Sequence, residues 1–212
     1  MNWSIVLVAW IALGVPVQTE EPFTRFLYCH EFTRGIYESQ CVELNADGSG
    51  ALRYKPRSAE EVRNDLTLSP RALERFVSIL ARTRFLADGA NYESKKKVAD
   101  LGMKRLAVDT PEGHREASFN FSDSKDAQNL AAFLDDLISQ ELAVLTLEAS
   151  LKYQRLAISE NLQYIDDEFQ SNRIVDYERM AAVMEKIQND TRVLESAREK
   201  ARRLRIQMLS KK

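Results

Sequence analysis

Neither glycine nor proline occurs in this chain after Gly113. These residues most often end or break a helix, so the last part of the chain can be helical almost throughout. Within it, apolar residues recur at alternating spacings of three and four, the pattern of a helix that packs lengthwise against a partner. They are Leu130, Leu134, Leu137, Val144, Leu151, Ile158, Leu162, Ile165 and Phe169. The sequence therefore predicts a long helical region from 122 to 212.

One reversal is expected in this region, near Arg173. The polar segment 170–172 favours local backbone hydrogen bonds, and Asp176 is suited to cap a new helix that begins at Tyr177. The returning helix would carry an apolar stripe of Tyr177, Met180, Met184, Ile187, Leu194, Ala201 and Met208. We expect a long antiparallel, coiled-coil-like hairpin, in which the basic C-terminal segment lies beside the carboxylates of Asp135, Asp136, Glu141 and Glu148.

A helix from 122 to 172 would be about 70 Å long. Since one domain of this size cannot cover such an arm, the apolar seam of the arm is a candidate surface for another protein. The residues predicted for this surface are Leu151, Ile158, Leu162, Ile165, Met180, Met184 and Ile187. The hypothesis is a non-enzymatic interaction or scaffold protein of the cell envelope, with another envelope protein or a second copy as partner. Contact of the basic C-terminus with a membrane surface is an alternative that we do not favour.

The N-terminal residues 1–19 have the features of a secretory signal peptide. The apolar run 5–15 has the length of a signal-peptide core, and small residues follow it, although no Lys or Arg precedes it. We therefore expect an exported protein with a small domain at 20–140 and a helical hairpin arm at 141–212. The formal net charge of −2 argues against nucleic acid as a partner.

Period-two alternation predicts three strands after the signal peptide, at 23–32, 40–45 and 51–55. A hairpin centred on Gly35 places Cys29 opposite Cys41. In an oxidising compartment, these cysteines would form a structural disulfide between neighbouring strands. Redox-active thiols are the alternative, but the spacing of the two cysteines is unlike Cys-x-x-Cys.

A second hairpin, centred on Ser49, is expected to place Leu44 opposite Tyr54. Because side chains alternate across a sheet, the two hairpins together predict one apolar face. This face would be formed by Phe26, Tyr28, Val42, Leu44, Leu52 and Tyr54.

A helix is predicted at 69–83, where Ser69 caps the helix and Pro70 takes its first position. Two more strands are expected, at 103–109 and 115–121. Ser122 or Ser124 then caps the first helix of the C-terminal region. The order βββ, α, ββ, αα predicts an α+β fold, with a small antiparallel sheet of about five strands covered by a helix.

The residues that usually carry catalysis or bind metals do not converge in this sequence. The two histidines, His30 and His114, lie apart in the predicted sheet, and each is interpreted as a surface residue. The acidic runs 135–136 and 166–168 are interpreted as solvated helix faces, because adjacent helical residues point in different directions. We accordingly predict no enzyme, no catalytic or metal-binding residue and no cofactor.

The alternative function is the binding of a small molecule. In that hypothesis, a pocket between the sheet and the helix at 69–83 holds the ligand, and the helical hairpin closes over it as a lid. Its distinguishing feature would be unfilled apolar volume near Phe26, Tyr54, Phe76 and Phe119.

Overall fold

The computed structural model describes residues 22–88, 91–96 and 98–211. The predicted signal peptide, residues 1–19, lies outside the described residues. An antiparallel sheet followed by a C-terminal helical region confirms the predicted α+β class. The chain packs as a sheet lobe, formed by the strands and the first helices, and a helical bundle, and one long helix belongs to both.

Within the described residues, the sheet has six strands, and all neighbouring strands are antiparallel. Their bounds are β1 Arg25–Glu31, β2 Tyr37–Asn45, β3 Ser49–Pro56, β4 Val62–Thr67, β5 Met103–Thr110 and β6 Gly113–Phe119. The order across the sheet is β4-β3-β2-β1-β5-β6, so β1 and β2 lie in the centre.

The sequence does not predict β4, because this strand carries few apolar residues. Leu66 is buried, but Val62, Arg63 and Asp65 are exposed. As an edge strand, β4 pairs with β3 alone and needs little apolar surface to hold its place. The sheet is therefore one strand wider than predicted.

The register of β1 and β2 matches the prediction. Cys29 lies opposite Cys41, and the two form a disulfide. The predicted apolar face is also confirmed, and β5 extends it. Its buried members are Phe26, Tyr28, Val42, Leu44, Leu52, Leu106 and Val108, and Tyr54 is partly buried beside them.

The hairpin of β2 and β3 is tighter than predicted. Leu44 lies opposite Gly50 rather than Tyr54. The turn is formed by Asp47, which accepts a hydrogen bond from the next strand, and by Gly48, whose φ of +82° favours glycine. Because the error is an even number of residues, the side chains remain on the predicted face.

The apolar face of the sheet is covered by helices. They are α1 Pro70–Arg82, the short α2 Phe85–Asp88 and the first half of α3 Lys125–Tyr153. The side chain of Ser69 caps α1 as predicted, and Ser124, one of the two serines predicted for this role, caps α3. The core beneath these helices is rich in aromatic rings, with Phe23, Phe26, Phe76 and Phe133 in contact with one another.

The C-terminal helical region is more divided than the sequence predicts. After α3 come a 3₁₀ turn Arg155–Ala157, α4 Ile158–Gln170, α5 Tyr177–Asn189 and α6 Glu195–Ser210. The prediction of two long helices, and with it an arm of about 70 Å, is therefore wrong. The shorter helices pack against the second half of α3, and this bundle buries their apolar stripes within the chain.

The predicted reversal near Arg173 is confirmed. Asn172 adopts a φ of +57°, and the N–H of Arg173 donates to the carbonyl of Glu168 at 2.9 Å. This is a Schellman ending with asparagine in place of glycine. Asp176 then accepts from the N–H of Arg179 and caps α5, also as predicted.

The bundle consists of two helical hairpins, α3 with α4 and α5 with α6, and charged pairs show how they lie together. Lys186 contacts Glu148, which places α5 beside α3, and Lys200 contacts Asp166, which places α6 beside α4. The predicted pairing of the basic C-terminus with the carboxylates of α3 is therefore wrong. Instead, cations of α6 contact Asp166, Glu185, Glu195 and Glu199.

Candidate functional site

A cleft opens where the sheet lobe meets the helical bundle, and we call it the junction cleft. Its volume is about 320 Å³, at the lower end of the range for ligand pockets. Residues from β2, the second half of α3 and α4 line it, among them Tyr37, Gln40, Ser139, Leu142, Thr146 and Tyr164. The cleft thus has one wall from the sheet and two from the helices.

The helical walls follow from residue spacing. Ser139, Leu142 and Thr146 recur at intervals of three and four on α3, so they share one face of that helix. The neighbouring Val144 and Leu147 are buried in the core of the bundle. The face toward the sheet is therefore left without a complete covering, and the cleft is the gap that remains.

The rim of the cleft contains both polar side chains that are paired within the chain and polar side chains that can bind another molecule. Thr146 donates to the carbonyl of Leu142 at 2.8 Å, and Asn161 donates to the hydroxyl of Ser150 at 2.9 Å. Within the described part of the chain, the side chains of Gln40, Ser139, Tyr37 and Tyr164 make no hydrogen bond. No charged side chain is among the described residues that line the cleft.

Tyr164 is the most prominent side chain of the rim. It is 47% exposed, which is unusual for a ring that also lines a cleft. Partial burial is the main cause of the raised pKa of its phenol, and the nearby carboxylate of Glu168 adds to the effect. Tyr164 is therefore a neutral phenol that can donate a hydrogen bond to a ligand while its ring packs against it.

A buried histidine lies next to Gln40, one of the residues that line the cleft. His30 lies opposite Gln40 in the sheet and is only 8% exposed, so the interpretation of His30 as a surface residue is wrong. Its Nε2 is 3.0 Å from the carbonyl of Leu101, and its Nδ1 is 3.0 Å from a carboxylate oxygen of Asp135. The hydroxyl of Tyr28 donates to the same oxygen at 2.8 Å.

The protonation of this cluster follows from its geometry. A carbonyl oxygen can only accept, so the Nε2 of His30 must donate to Leu101. The contact of Nδ1 with Asp135 then needs a second proton, either on Nδ1 or on the carboxyl group. Burial raises the pKa of Tyr28, which keeps its hydroxyl as a donor. The interpretation of Asp135 as a solvated residue is therefore wrong, since it ties α3 to β1.

Gly102 makes this arrangement possible. It has a φ of +89°, and a Cβ at this position would lie 2.8 Å from the Nε2 of His30 and 2.5 Å from the carbonyl of Glu31. Only glycine allows the chain to bring the carbonyl of Leu101 onto the imidazole. A glycine just before β5 was the sequence signal that could have indicated a close approach here.

A second charged cluster, formed by Asp136, Glu168 and Arg173, lies close to Tyr164. Burial raises the pKa of Asp136 to about 6, although the guanidinium of Arg173 acts in the opposite direction. The Nε of Arg173 donates to Glu168 at 2.7 Å. Asp136 is thus half-buried rather than solvated as predicted, and Glu168, also predicted to be solvated, is buried.

The residues predicted as a partner surface lie mostly inside the bundle. Leu151 is partly buried, and the other six are buried: Ile158, Leu162, Ile165, Met180, Met184 and Ile187. Ile165 also reaches the junction cleft. These side chains would meet a partner only if the two hairpins separated.

The predicted pocket beneath the helix at 69–83 is filled. Phe26 and Phe76 are fully buried with ring centroids 5.0 Å apart, and Phe119 is buried against Tyr92. The expectation of unfilled volume near these rings is therefore wrong, because the aromatic side chains pack against one another. The junction cleft is formed by other residues, along the second half of α3.

The second histidine lies at the surface of the sheet lobe. His114 is exposed, as predicted, and contacts Asp109 at 2.6 Å and Glu116 at 2.9 Å. Among the described residues, no three side chains of histidine, cysteine, aspartate or glutamate are grouped so as to hold a metal ion. None of the helices in the described ranges combines the length and apolar character that a membrane crossing requires.

Comparisons with known proteins leave the function to be inferred from these residues. No family model matches the chain, and no curated protein matches it. The junction cleft, its free polar rim and its neutral lining are therefore the features from which a function is inferred.

Proposed function

We propose that this chain is a non-enzymatic protein-interaction protein of the cell envelope, which holds an apolar segment of a partner in the junction cleft. The observation that carries the proposal is the cleft between β2, α3 and α4, with apolar walls and a rim of unpaired polar groups. An apolar centre with a polar rim is the usual anatomy of a protein interface. The partner would be another envelope protein or a second copy of this chain.

Three properties of the cleft favour a protein segment as the occupant. Tyr37 and Tyr164 offer large rings with a polar end, the residue type that often dominates binding energy at interfaces. Gln40 and Ser139 can pair with the backbone of an extended or helical segment. Among the described residues of the cleft, none is charged, so a partner can bind without removing water from a charged side chain there.

The proposed location is an oxidising compartment reached by export. The disulfide between Cys29 and Cys41 is typical of such compartments. The predicted signal peptide at 1–19 would direct the chain there. Expression with a C-terminal tag, followed by fractionation of the cells and N-terminal sequencing of the product, would test both parts.

The proposal is tested by crosslinking from the cleft. A photoreactive amino acid at Ser139 should capture one partner in cells, and the same group at Gln163, an exposed neighbour outside the cleft, should not. Tyr164→Ala should weaken binding of the captured partner by about tenfold, because a central ring is lost. Gln163→Ala is the matched control. Equal capture from both positions, or an unchanged affinity of Tyr164→Ala, would contradict the proposal.

A small molecule is the second candidate occupant. It is favoured by the position of α4, which forms one wall of the cleft and could act as the lid. The ligand would be uncharged and largely apolar, since the described residues that line the cleft carry no charge. Native mass spectrometry of the purified protein distinguishes the two cases. A bound small molecule that is lost in Tyr164→Ala, without any crosslinked protein, would select this candidate.

A further inference from the structure

The end of the helical bundle farthest from the sheet lobe is formed by two chain reversals, and we call it the bundle tip. It comprises residues 152–156, from the end of α3 into the 3₁₀ turn, and residues 189–194, from the end of α5 to the residue that precedes α6. Arg155 approaches Asp190 at 3.6 Å, so the two reversals lie side by side.

The bundle tip exposes large apolar side chains. Leu156 is 82% exposed, the highest value among the large apolar residues in the described ranges, and Tyr153 is 71% exposed. Leu194, on the second reversal, is also exposed. Single exposed leucines are common on protein surfaces, but side chains of this size grouped at one end mark a contact surface.

Cations surround these apolar side chains. The surface next to the reversals is lined by Lys152, Arg155, Lys186 and Arg192, with Glu148 and Asp190 as its carboxylates. Both carboxylates already contact cations, since Lys186 lies 2.6 Å from Glu148 and Arg192 lies 2.8 Å from Asp190. This lining therefore has more positive than negative groups.

Lys152 and Tyr153 are presented together. The ammonium of Lys152 lies 4.9 Å from the centre of the Tyr153 ring. An exposed ring beside a lysine suits the boundary between water and lipid, where the ring enters the interface and the cation stays near the headgroups. Glu160 and Glu195 follow in the first turns of α4 and α6, and Glu195 is paired with Arg198.

From this combination we propose that the bundle tip docks on an anionic phospholipid surface. Tyr153 and Leu156 enter the interfacial layer, while Lys152, Arg155 and Arg192 contact the headgroup phosphates. The exposed side chains project outward, and the surface beside them is lined mostly by charged groups. A lipid layer, which yields to inserted side chains, fits this shape better than a rigid protein surface.

The basic segment of α6 is a weaker candidate for the same contact. Arg202 contacts Glu199, Arg205 contacts Glu185 and Lys200 contacts Asp166, so each of these cations has a carboxylate of its own. In the lining beside the tip, four cations share two carboxylates. Ile206 and Leu209 are exposed on the same helix, near its C-terminal end. They provide a matched control of equally apolar residues away from the tip.

Co-sedimentation of the full mature chain with vesicles tests the proposal. Vesicles of phosphatidylcholine alone are compared with vesicles that contain phosphatidylglycerol. We expect binding to the anionic vesicles only, weakened by added salt because the attraction is partly electrostatic. Tyr153→Ser with Leu156→Ser should lower the partition coefficient by about tenfold or more, because the inserted apolar groups are lost. Ile206→Ser with Leu209→Ser should leave it unchanged.

Lys152→Gln with Arg192→Gln should lower binding to anionic vesicles and flatten its dependence on salt. Circular dichroism melting of each variant checks that the fold is kept. No binding to anionic vesicles, equal binding to neutral vesicles, or binding unaffected by the tip variants would overturn the proposal. Crosslinking from the junction cleft should be unchanged in the tip variants, so the two proposals can fail separately.

Discussion

The sheet lobe and the helical bundle are stabilised by different kinds of core. The sheet lobe buries rings in edge-to-face or stacked contact, including Phe23, Phe26, Phe76 and Phe133. The described core of the bundle consists mainly of aliphatic side chains, methionines and alanines, with Phe169 as its buried ring. Ring contacts are directional and favour one arrangement, whereas methionine adapts to several.

In the bundle, polar contacts at the chain reversals supply the directional interactions that its aliphatic core lacks. The carbonyl oxygen of the buried Gln140 side chain accepts from the N–H groups of Val175 and Asp176, at 3.0 and 2.9 Å. Arg173 holds Glu168 just before this point. An adaptable core is thus combined with specific hydrogen bonds that determine where its helices begin and end.

The largest effect is expected from the aromatic core. Phe76→Ala should lower the free energy of unfolding by about 4 kcal/mol, and Met184→Ala by about 3 kcal/mol, because a rigid aromatic site closes less readily around a cavity. Urea denaturation followed by circular dichroism measures both. Equal decreases in the free energy of unfolding for the two variants would contradict the expected difference between the two cores.

The same experiment tests whether the lobes unfold together. α3 contributes Leu134 and Leu137 to the sheet lobe and Val144 and Leu147 to the bundle. Because one helix belongs to both cores, we expect a single transition for both variants. Two separate transitions would show that α3 does not couple the lobes.

The disulfide should stabilise the sheet lobe by a comparable amount. Replacement of Cys29 and Cys41 by alanine should cost about 3 kcal/mol, because the unfolded chain regains the freedom of a short loop. The separation of 12 residues sets this expectation. Thermal unfolding without reductant measures it, and wild type with reductant provides an independent comparison. A loss below about 1 kcal/mol would contradict the structural role of the bridge.

A smaller loss is expected from the polar contact in the bundle. Gln140→Met keeps the approximate size of the side chain but leaves two buried N–H groups without their acceptor, which should cost about 2 kcal/mol. Hydrogen exchange of the Val175 and Asp176 amides should also become faster. Gln163→Met, at an exposed position of α4, is the control and should have little effect. Unchanged exchange would show that Gln140 does not order this reversal.

The smallest effect concerns Asp136. Its pKa of about 6 is raised above the value of 3.8 in an unfolded chain, mainly by burial. The folded state therefore favours the protonated carboxyl of Asp136. The stabilisation from this preference is fully present below about pH 4 and is lost as the pH rises through about 6. Relative to wild type, the free energy of unfolding of Asp136→Asn should increase by about 1 kcal/mol as the pH rises from about 4 to about 7.5. This value is reduced because Asp136 is partly exposed. Urea denaturation at both pH values measures the gain, and no change would contradict the raised pKa.

Several parts of the fold could be predicted because neighbouring residues decide them. Ser69, Ser124 and Asp176 cap helices in the structure as the sequence predicts, since a cap depends on backbone groups within three residues. The pairing of Cys29 with Cys41 also follows from a short turn and from side-chain alternation. The junction cleft was not predicted, because its walls come from β2, α3 and α4, which are distant in the chain.

The sequence by itself determined the fold class, the helix caps and the register of the central hairpin, because these depend on contacts between close neighbours. The tertiary structure decided the reversals at Gln154 and Asp190, where neither glycine nor proline forces a helix to end. Folding the helices into a bundle buries apolar stripes that two long helices would leave exposed. The tertiary structure also buried His30 against Asp135 and Leu101. Neighbouring residues could not indicate this, because these partners lie 105 and 71 residues away in the chain.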